Sequence, residues 1–135
     1  PMYGVKLDGI WFDVGTPEEL IKAQNYLVKN SQMLPFGLPE GKFVEQDSYL
    51  IGNSTSSSNL VRTVLSGNSV AGTKSKIIDS IIMEGAKIGD NCSLVGTIIG
   101  ENTVIGDNCE LINCVIGDEV HIAAETKLSG QRLSK

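Results

Sequence analysis

Aromatic side chains are few, with 3 Phe, 3 Tyr and 1 Trp in 135 residues, so a core built on stacked rings is excluded and any interior must be aliphatic. No apolar run reaches the roughly 18 residues that a membrane-spanning helix needs. The start, Pro1-Met2-Tyr3-Gly4, has neither the basic region nor the apolar stretch of a signal peptide. Cysteine is scarce, odd in number (3) and irregularly spaced, which fits a reducing compartment better than a disulfide framework; a cytoplasmic location is expected. Basic clusters are absent too. The 11 Lys and Arg are scattered among 16 acidic residues, the net charge is -5 and the pI is near 4.8, so neither nucleic acid nor an anionic membrane is expected as a partner.

What is plentiful is glycine (15) and regularly spaced aliphatics. From Ile77 to Leu128 the large aliphatics are Ile77, Ile82, Ile88, Leu94, Ile99, Ile105, Leu111, Ile116, Ile122 and Leu128, in steps of 5, 6 and 6 residues, a composite period of 17. A period of that size marks a solenoid. Extended backward, the frame lands on Leu60, Leu65 and Ala71. The aliphatic that opens each unit and the small residue at its fifth position are expected to point inward. The fourth position is often Asn or Gly, types that tolerate a left-handed backbone at a tight bend. Along one corner come Asn68, Gly85, Asn102 and Glu119; along another come Lys74, Asn91, Asn108 and Glu125. Glu119, Lys74 and Glu125 break the preference, so strained or differently shaped corners are expected there. Three short strands per turn make a triangular prism whose coils stack about 4.8 Å apart through parallel ladders.

The rest of the chain is attached to this coil. Val5-Lys6-Leu7 and Ile10-Trp11-Phe12 flank Asp8-Gly9, a two-residue hairpin signal. Thr16 as cap, Pro17 at the first helical position and Glu19 three residues after the cap then open a helix expected to end near Lys29-Asn30. Its apolar face carries Leu20, Ile21, Leu27 and Val28 and needs a partner, either the coil or another chain. The expected divisions are a hairpin and helix over 1–30, a linker rich in Pro and Gly over 31–47, the coil over 48–130 and a polar tail over 131–135. Tyr49-Leu50-Ile51-Gly52 reads as a first, irregular turn. The Ser54 to Asn59 run reads either as a flexible loop or as a degenerate rung.

The repeat resembles the hexapeptide repeat of left-handed parallel β-helices; the handedness is implied by that resemblance, since general statistics favour right-handed crossovers. The stretch Trp11-Phe12-Asp13-Val14-Gly15-Thr16-Pro17-Glu18 is more specific. It resembles the end of the catalytic domain in sugar-1-phosphate nucleotidylyltransferases, of the mannose-1-phosphate guanylyltransferase and glucose-1-phosphate nucleotidylyltransferase types, where a W-x-D-V-G-T-P-E stretch leads into a helix and then a β-helix. The resemblance implies that Asp13 helps to hold a catalytic Mg²⁺ in the intact enzyme, a role that suits a hard carboxylate. It also implies that Gly15 and Thr16 lie beside the sugar-phosphate pocket. The family's Gly-rich nucleotide-binding loop and its other metal-binding Asp belong to an N-terminal domain that this sequence lacks. The chain is therefore expected to be the C-terminal assembly or regulatory module of such an enzyme, partnered by its own catalytic domain and by further copies through a β-helix face. No catalytic residue and no bound cofactor are expected in this piece alone, which should not transfer nucleotides.

Other candidate sites have plainer readings beside them. Asp13 before a turn can simply accept local hydrogen bonds, and Trp11 is expected to pack. Cys92, Cys109 and Cys114 match no common zinc spacing and fall on inward small-residue positions, so core thiols are expected. His121, the only histidine, follows an inward Val120 and should point outward. Hexapeptide-repeat acyltransferases use an outward His as general base between subunits, so acetyl transfer through His121 is an alternative. A non-catalytic scaffold subunit is another. Asn53-Ser54-Thr55 fits a glycosylation acceptor but has no secretory start to accompany it.

Overall fold

The step of 17 residues in the sequence is the step between hydrogen-bonded strands. Ile77, Leu94, Leu111 and Leu128 stand in register on successive parallel strands. So do Leu65, Ile82, Ile99, Ile116 and Leu133, and likewise Ala71, Ile88, Ile105 and Ile122. In this computed structural model residues 3–7, 10–14, 17–29, 41–44 and 48–134 are described. Within them the chain forms a left-handed parallel β-helix with one α-helix. Its interior is the three aliphatic columns: Leu65, Ile77, Ile82, Leu94, Ile99 and Leu111 are each 0% exposed.

The elements in order are β1 (Tyr3–Leu7), β2 (Ile10–Val14), α1 (Pro17–Lys29), β3 (Gly41–Val44), β4 (Ser48–Ile51), β5 (Thr55–Val61), β6 (Val64–Leu65), β7 (Val70–Ile78) and then the two- and three-residue strands of the later coils. Strands β1 and β2 pair antiparallel as the hairpin signal predicts, with Leu7 opposite Ile10; the turn residues Asp8 and Gly9 lie outside the described residues.

Corners repeat as faithfully as the core. Asn68, Gly85, Asn102 and Glu119 have φ of 60, 75, 57 and 56°, and Lys74, Asn91, Asn108 and Glu125 have φ of 62, 57, 61 and 65°. The corners at Lys74, Glu119 and Glu125 therefore keep the shape of the others, and of the two expected outcomes it is the strained corner that holds. Ladder hydrogen bonds on both sides impose the bend, and the side chain that happens to be there bears roughly 1–2 kcal/mol of left-handed strain. A third corner column, unread in the sequence, consists of Arg62, Asp79, Gly96, Asn113 and Gly130 (φ 45, 49, 58, 53 and 65°).

Small polar residues line the inside of the bends, and each buried hydroxyl has a partner. Ser75 Oγ donates to Gly89 O at 2.9 Å and accepts from Cys92 N at 2.9 Å one coil on. Thr63 Oγ1 donates to Ile77 O at 3.0 Å. Among the described residues no buried side-chain nitrogen or oxygen lacks a hydrogen bond, which is the condition for a polar column inside an aliphatic prism.

The N-terminal end of the coil departs from the repeat. Tyr49 and Leu50 pair with Val64 and Leu65, a step shorter than 17, and two register shifts within β5 restore the frame by the time Leu60 meets Ile77. The serine run is thus a strand, the degenerate rung rather than the loop. Part of the expected linker is also strand: β3 pairs antiparallel with β4. The reason is that the first rung would otherwise present an unpaired backbone edge, which folded proteins cover. The other residues of that linker, 31–40 and 45–47, lie outside the described residues.

Candidate functional site: the face covered by the helix

A coil residue next to an inward one points outward, because side chains alternate along a strand. Val64, Ile81, Ile98 and Val115 each precede an inward aliphatic and so form an outward apolar column on one face. Yet Val64, Ile81 and Ile98 are only 8, 8 and 7% exposed, because α1 lies on them. Ile21, with Leu20 beside it, packs against Ile81, Ile98, Met83 and Val115. Val28 packs against Tyr49, Val64 and Ile51. The spacing explains the fit. Seven residues of helix advance about 10.5 Å, and two coils advance about 9.6 Å, so Ile21 and Val28 meet the face two rungs apart. Burying each of these two side chains is worth roughly 1.5–3 kcal/mol before entropy. The helix itself is well made, with Pro17 first, Glu18 and Glu19 in its first turn and Lys29 in its last, matching the helix dipole. Thr16, the expected cap, lies outside the described residues, as does the side chain of Leu27.

Polar contacts fix the helix along one edge of this face. Gln24 Nε2 donates to the Ser80 carbonyl at 2.9 Å, and Asn25 Nδ2 donates to Asp79 Oδ1 at 3.1 Å. Asp79 in turn accepts two hydrogen bonds from Arg62 on the preceding coil, at 2.5 Å from Nε and 2.9 Å from the terminal nitrogen. The Arg62 guanidinium, helped by Asn25, holds the Asp79 carboxyl below its ordinary value of 3.8, against a smaller opposing effect of burial. A fork-to-fork pair of this kind is the stronger sort of surface ion pair. Helix α1 also contacts β2.

The residues singled out in the sequence are not brought together. Asp13 stands in β2 opposite Gly4, which offers no side-chain oxygen. Among the described residues, strands β1 and β2 carry one carboxylate between them, Asp13, too few by itself for an Mg²⁺ site. Gly15 and Thr16 lie outside the described residues, and so does the side chain of Trp11. His121 is exposed and stands beside Val104; ahead of it in the same outward column come Lys87 and Val70, none a carboxylate able to fix an imidazole tautomer. Cys92, Cys109 and Cys114 are buried free thiols. Burial pushes the Cys92 thiol above its ordinary value, so it stays protonated.

Acidic residues stack at two corners, but they serve the backbone. Asp90 Oδ1 accepts from Thr73 N at 2.8 Å, Asp107 Oδ1 from Asp90 N at 2.9 Å, and Asp118 Oδ1 from Glu101 N at 2.7 Å. Among the described residues no group of three His, Cys, Asp or Glu is placed to hold a metal. Nor is any described helix long and apolar enough to cross a membrane.

Sequence reading missed Gln24, Asn25, Arg62 and Asp79. The signal for the covered face was present, in the doublets Val64-Leu65, Ile81-Ile82, Ile98-Ile99 and Val115-Ile116, where the second residue faces in and the first has to be covered from outside.

A search of curated proteins found no match. Among solved structures the chain is similar to a mutant of perosamine N-acetyltransferase from Caulobacter crescentus in complex with CoA and GDP-perosamine, at 15% identity and a TM-score of 0.38, over 88% of this chain and 61% of that one. A second mutant, of GDP-perosamine N-acetyl transferase from the same organism with the same ligands, matches at 13% identity and a TM-score of 0.29, over 90% of this chain and 64% of that one. The chain thus spans less than two thirds of either structure, and likeness at this level carries nothing about activity. The family model described as the GMPPB C-terminal domain matches residues 46–134, which takes in the whole coil. On that match the chain belongs to the family of GMPPB C-terminal domains.

Proposed function

We propose that the chain is the C-terminal assembly and regulatory module of an enzyme that transfers a nucleotidyl group from a nucleoside triphosphate to a sugar 1-phosphate, releasing pyrophosphate. The observation that carries this reading is the double contact of α1. One side of the helix is buried on the coil through Ile21 and Val28, and the helix also meets β2, which bears the Asp13 motif. Such a helix fixes the orientation of a catalytic domain ending in β1, β2 and α1 relative to the coil. Its partners are that catalytic domain and further copies of the module, with no role for nucleic acid. Mg²⁺ belongs to the intact enzyme, where carboxylates beyond Asp13 complete its oxygen shell.

The test is a pyrophosphate-release assay with nucleoside triphosphate, sugar 1-phosphate and Mg²⁺, run on the 135-residue chain and on the chain preceded by a nucleotidyltransferase catalytic domain. Activity only in the longer protein, lowered when Ile21→Asp lifts the helix from the coil, supports the reading. Release of CoA from acetyl-CoA by the chain alone, abolished in His121→Ala, would replace it with the acetyltransferase alternative. Equal nucleotidyl transfer with and without the coil would leave the module as a scaffold only.

A further inference from the structure

Of the three faces of the prism, one is covered by α1, and the second is a mixed strip of Val70, Lys87, Val104 and His121. The third is different. Its strands present two outward columns. One is aliphatic, Val61, Ile78, Val95 and Ile112, in register on successive coils and each only half-buried. The other runs beside it as Asn59, Lys76, Ser93, Glu110 and Lys127, likewise in register. An aliphatic ladder flanked by a charged one, with no element of the described chain over it, is an interface pattern.

We propose that this face pairs with the same face of a second copy, with the two coil axes antiparallel and the two-fold axis parallel to the strands at the level of Ser93 and Val95. The charge order selects this arrangement. A two-fold axis along the strands reverses the order of coils and keeps position along the strand. The coil one step before Ser93 then meets the coil one step after it. Lys76 of each copy therefore faces Glu110 of the other, Ile78 faces Ile112, and Val95 meets its own counterpart. Two symmetric ion pairs flank a continuous aliphatic strip. The alternative axis, along the coil, sets Lys76 against Ile78 and Glu110 against Ile112, desolvating four charges on apolar surface, and is rejected. Five rungs at about 4.8 Å make a patch well below the roughly 800 Å² per partner of a standard stable interface, so the pairing is weak and depends on concentration. It deepens the assembly role given above and rests on that reading for its setting.

The test is sedimentation velocity of the 135-residue chain from about 10 μM to about 1 mM, a range suited to a small interface, with circular dichroism confirming that each variant is folded. The wild-type chain is expected to show a concentration-dependent dimer. Lys76→Glu or Glu110→Lys alone should weaken it by about tenfold or more, because either change makes both symmetric pairs repulsive. The double variant K76E/E110K restores opposite charges across the axis and should recover most of the loss. A strict monomer throughout, or a dimer indifferent to the single changes, overturns the pairing; so does a double variant no better than the singles. None of these outcomes bears on the pyrophosphate assay, which decides the functional reading separately.

Discussion

Arg62 reaches exactly one coil along the prism to grip Asp79, and both residues occupy left-handed corners (φ 45 and 49°) of the same column. Asp79 then accepts from Asn25, so an ion pair between two rungs of the coil is also the clasp for α1. Asp79→Ala removes the clasp while leaving the apolar contacts of Ile21 and Val28. Amide hydrogen exchange in α1 should speed up several-fold, with the coil amides around Ile99 unchanged. Equal acceleration in both would mean that the pair holds the coil and not the helix.

Acid should have the same local effect. Because the folded-state Asp79 carboxyl lies below its ordinary value of 3.8, its contribution is present above that pH and is lost as pH falls through the lower, folded value. Exchange in α1 should therefore rise below about pH 4 before the coil unfolds, and Asp79→Asn should flatten that rise.

Strained corners can be relieved. Glu125 and Lys74 hold φ of 65 and 62° with side chains that dislike it. Glu125→Gly and Lys74→Gly should each raise stability by up to about 1 kcal/mol, once the extra unfolded-state entropy of glycine is set against the relief. Thermal melts followed by circular dichroism decide this. The reverse change, Gly85→Ala at φ 75°, should lower the melting temperature, since a Cβ there also meets the Asn102 side chain.

Thiol chemistry reports on the core. Cys92, Cys109 and Cys114 are 2, 1 and 0% exposed, so alkylation of the native chain should be slow and should become complete on denaturation. For Cys92 the folded value is raised above the ordinary 9.0. Its contribution is full below that pH and is lost as pH rises through the folded value, so alkaline solution should both destabilise the coil and expose this thiol.

The coil was legible because a solenoid writes its geometry repeatedly: Ile82, Ile99 and Ile116 occupy one column, and any one of them predicts the others. The same redundancy makes Ile99→Asp, at a site 0% exposed, a change expected to unfold the coil. Legibility failed where the residue type did not advertise its role. Arg62 and Asp79 do not look like corner residues, so the third corner went unread, and with it the clasp on α1. The first rung was obscured because it is shorter than 17 residues, a deficit that only the bulged pairing of β5 with β7 makes good. The strand β3 was hidden by its glycine and proline neighbours, since an edge-covering strand is dictated by the rung it covers and not by its own pattern.

Everything proposed about how this module serves a catalytic domain turns on whether α1 is seated on the coil in solution. Nuclear Overhauser spectroscopy of the chain, methyl-labelled at Ile, Leu and Val, tests this directly. Cross-peaks from Ile21 to Ile81 and Ile98, and from Val28 to Val64, are predicted together with slow exchange of the α1 amides. Their absence, with α1 amides exchanging at free-peptide rates while the Ile82, Ile99 and Ile116 methyls still show their ladder contacts, would contradict it.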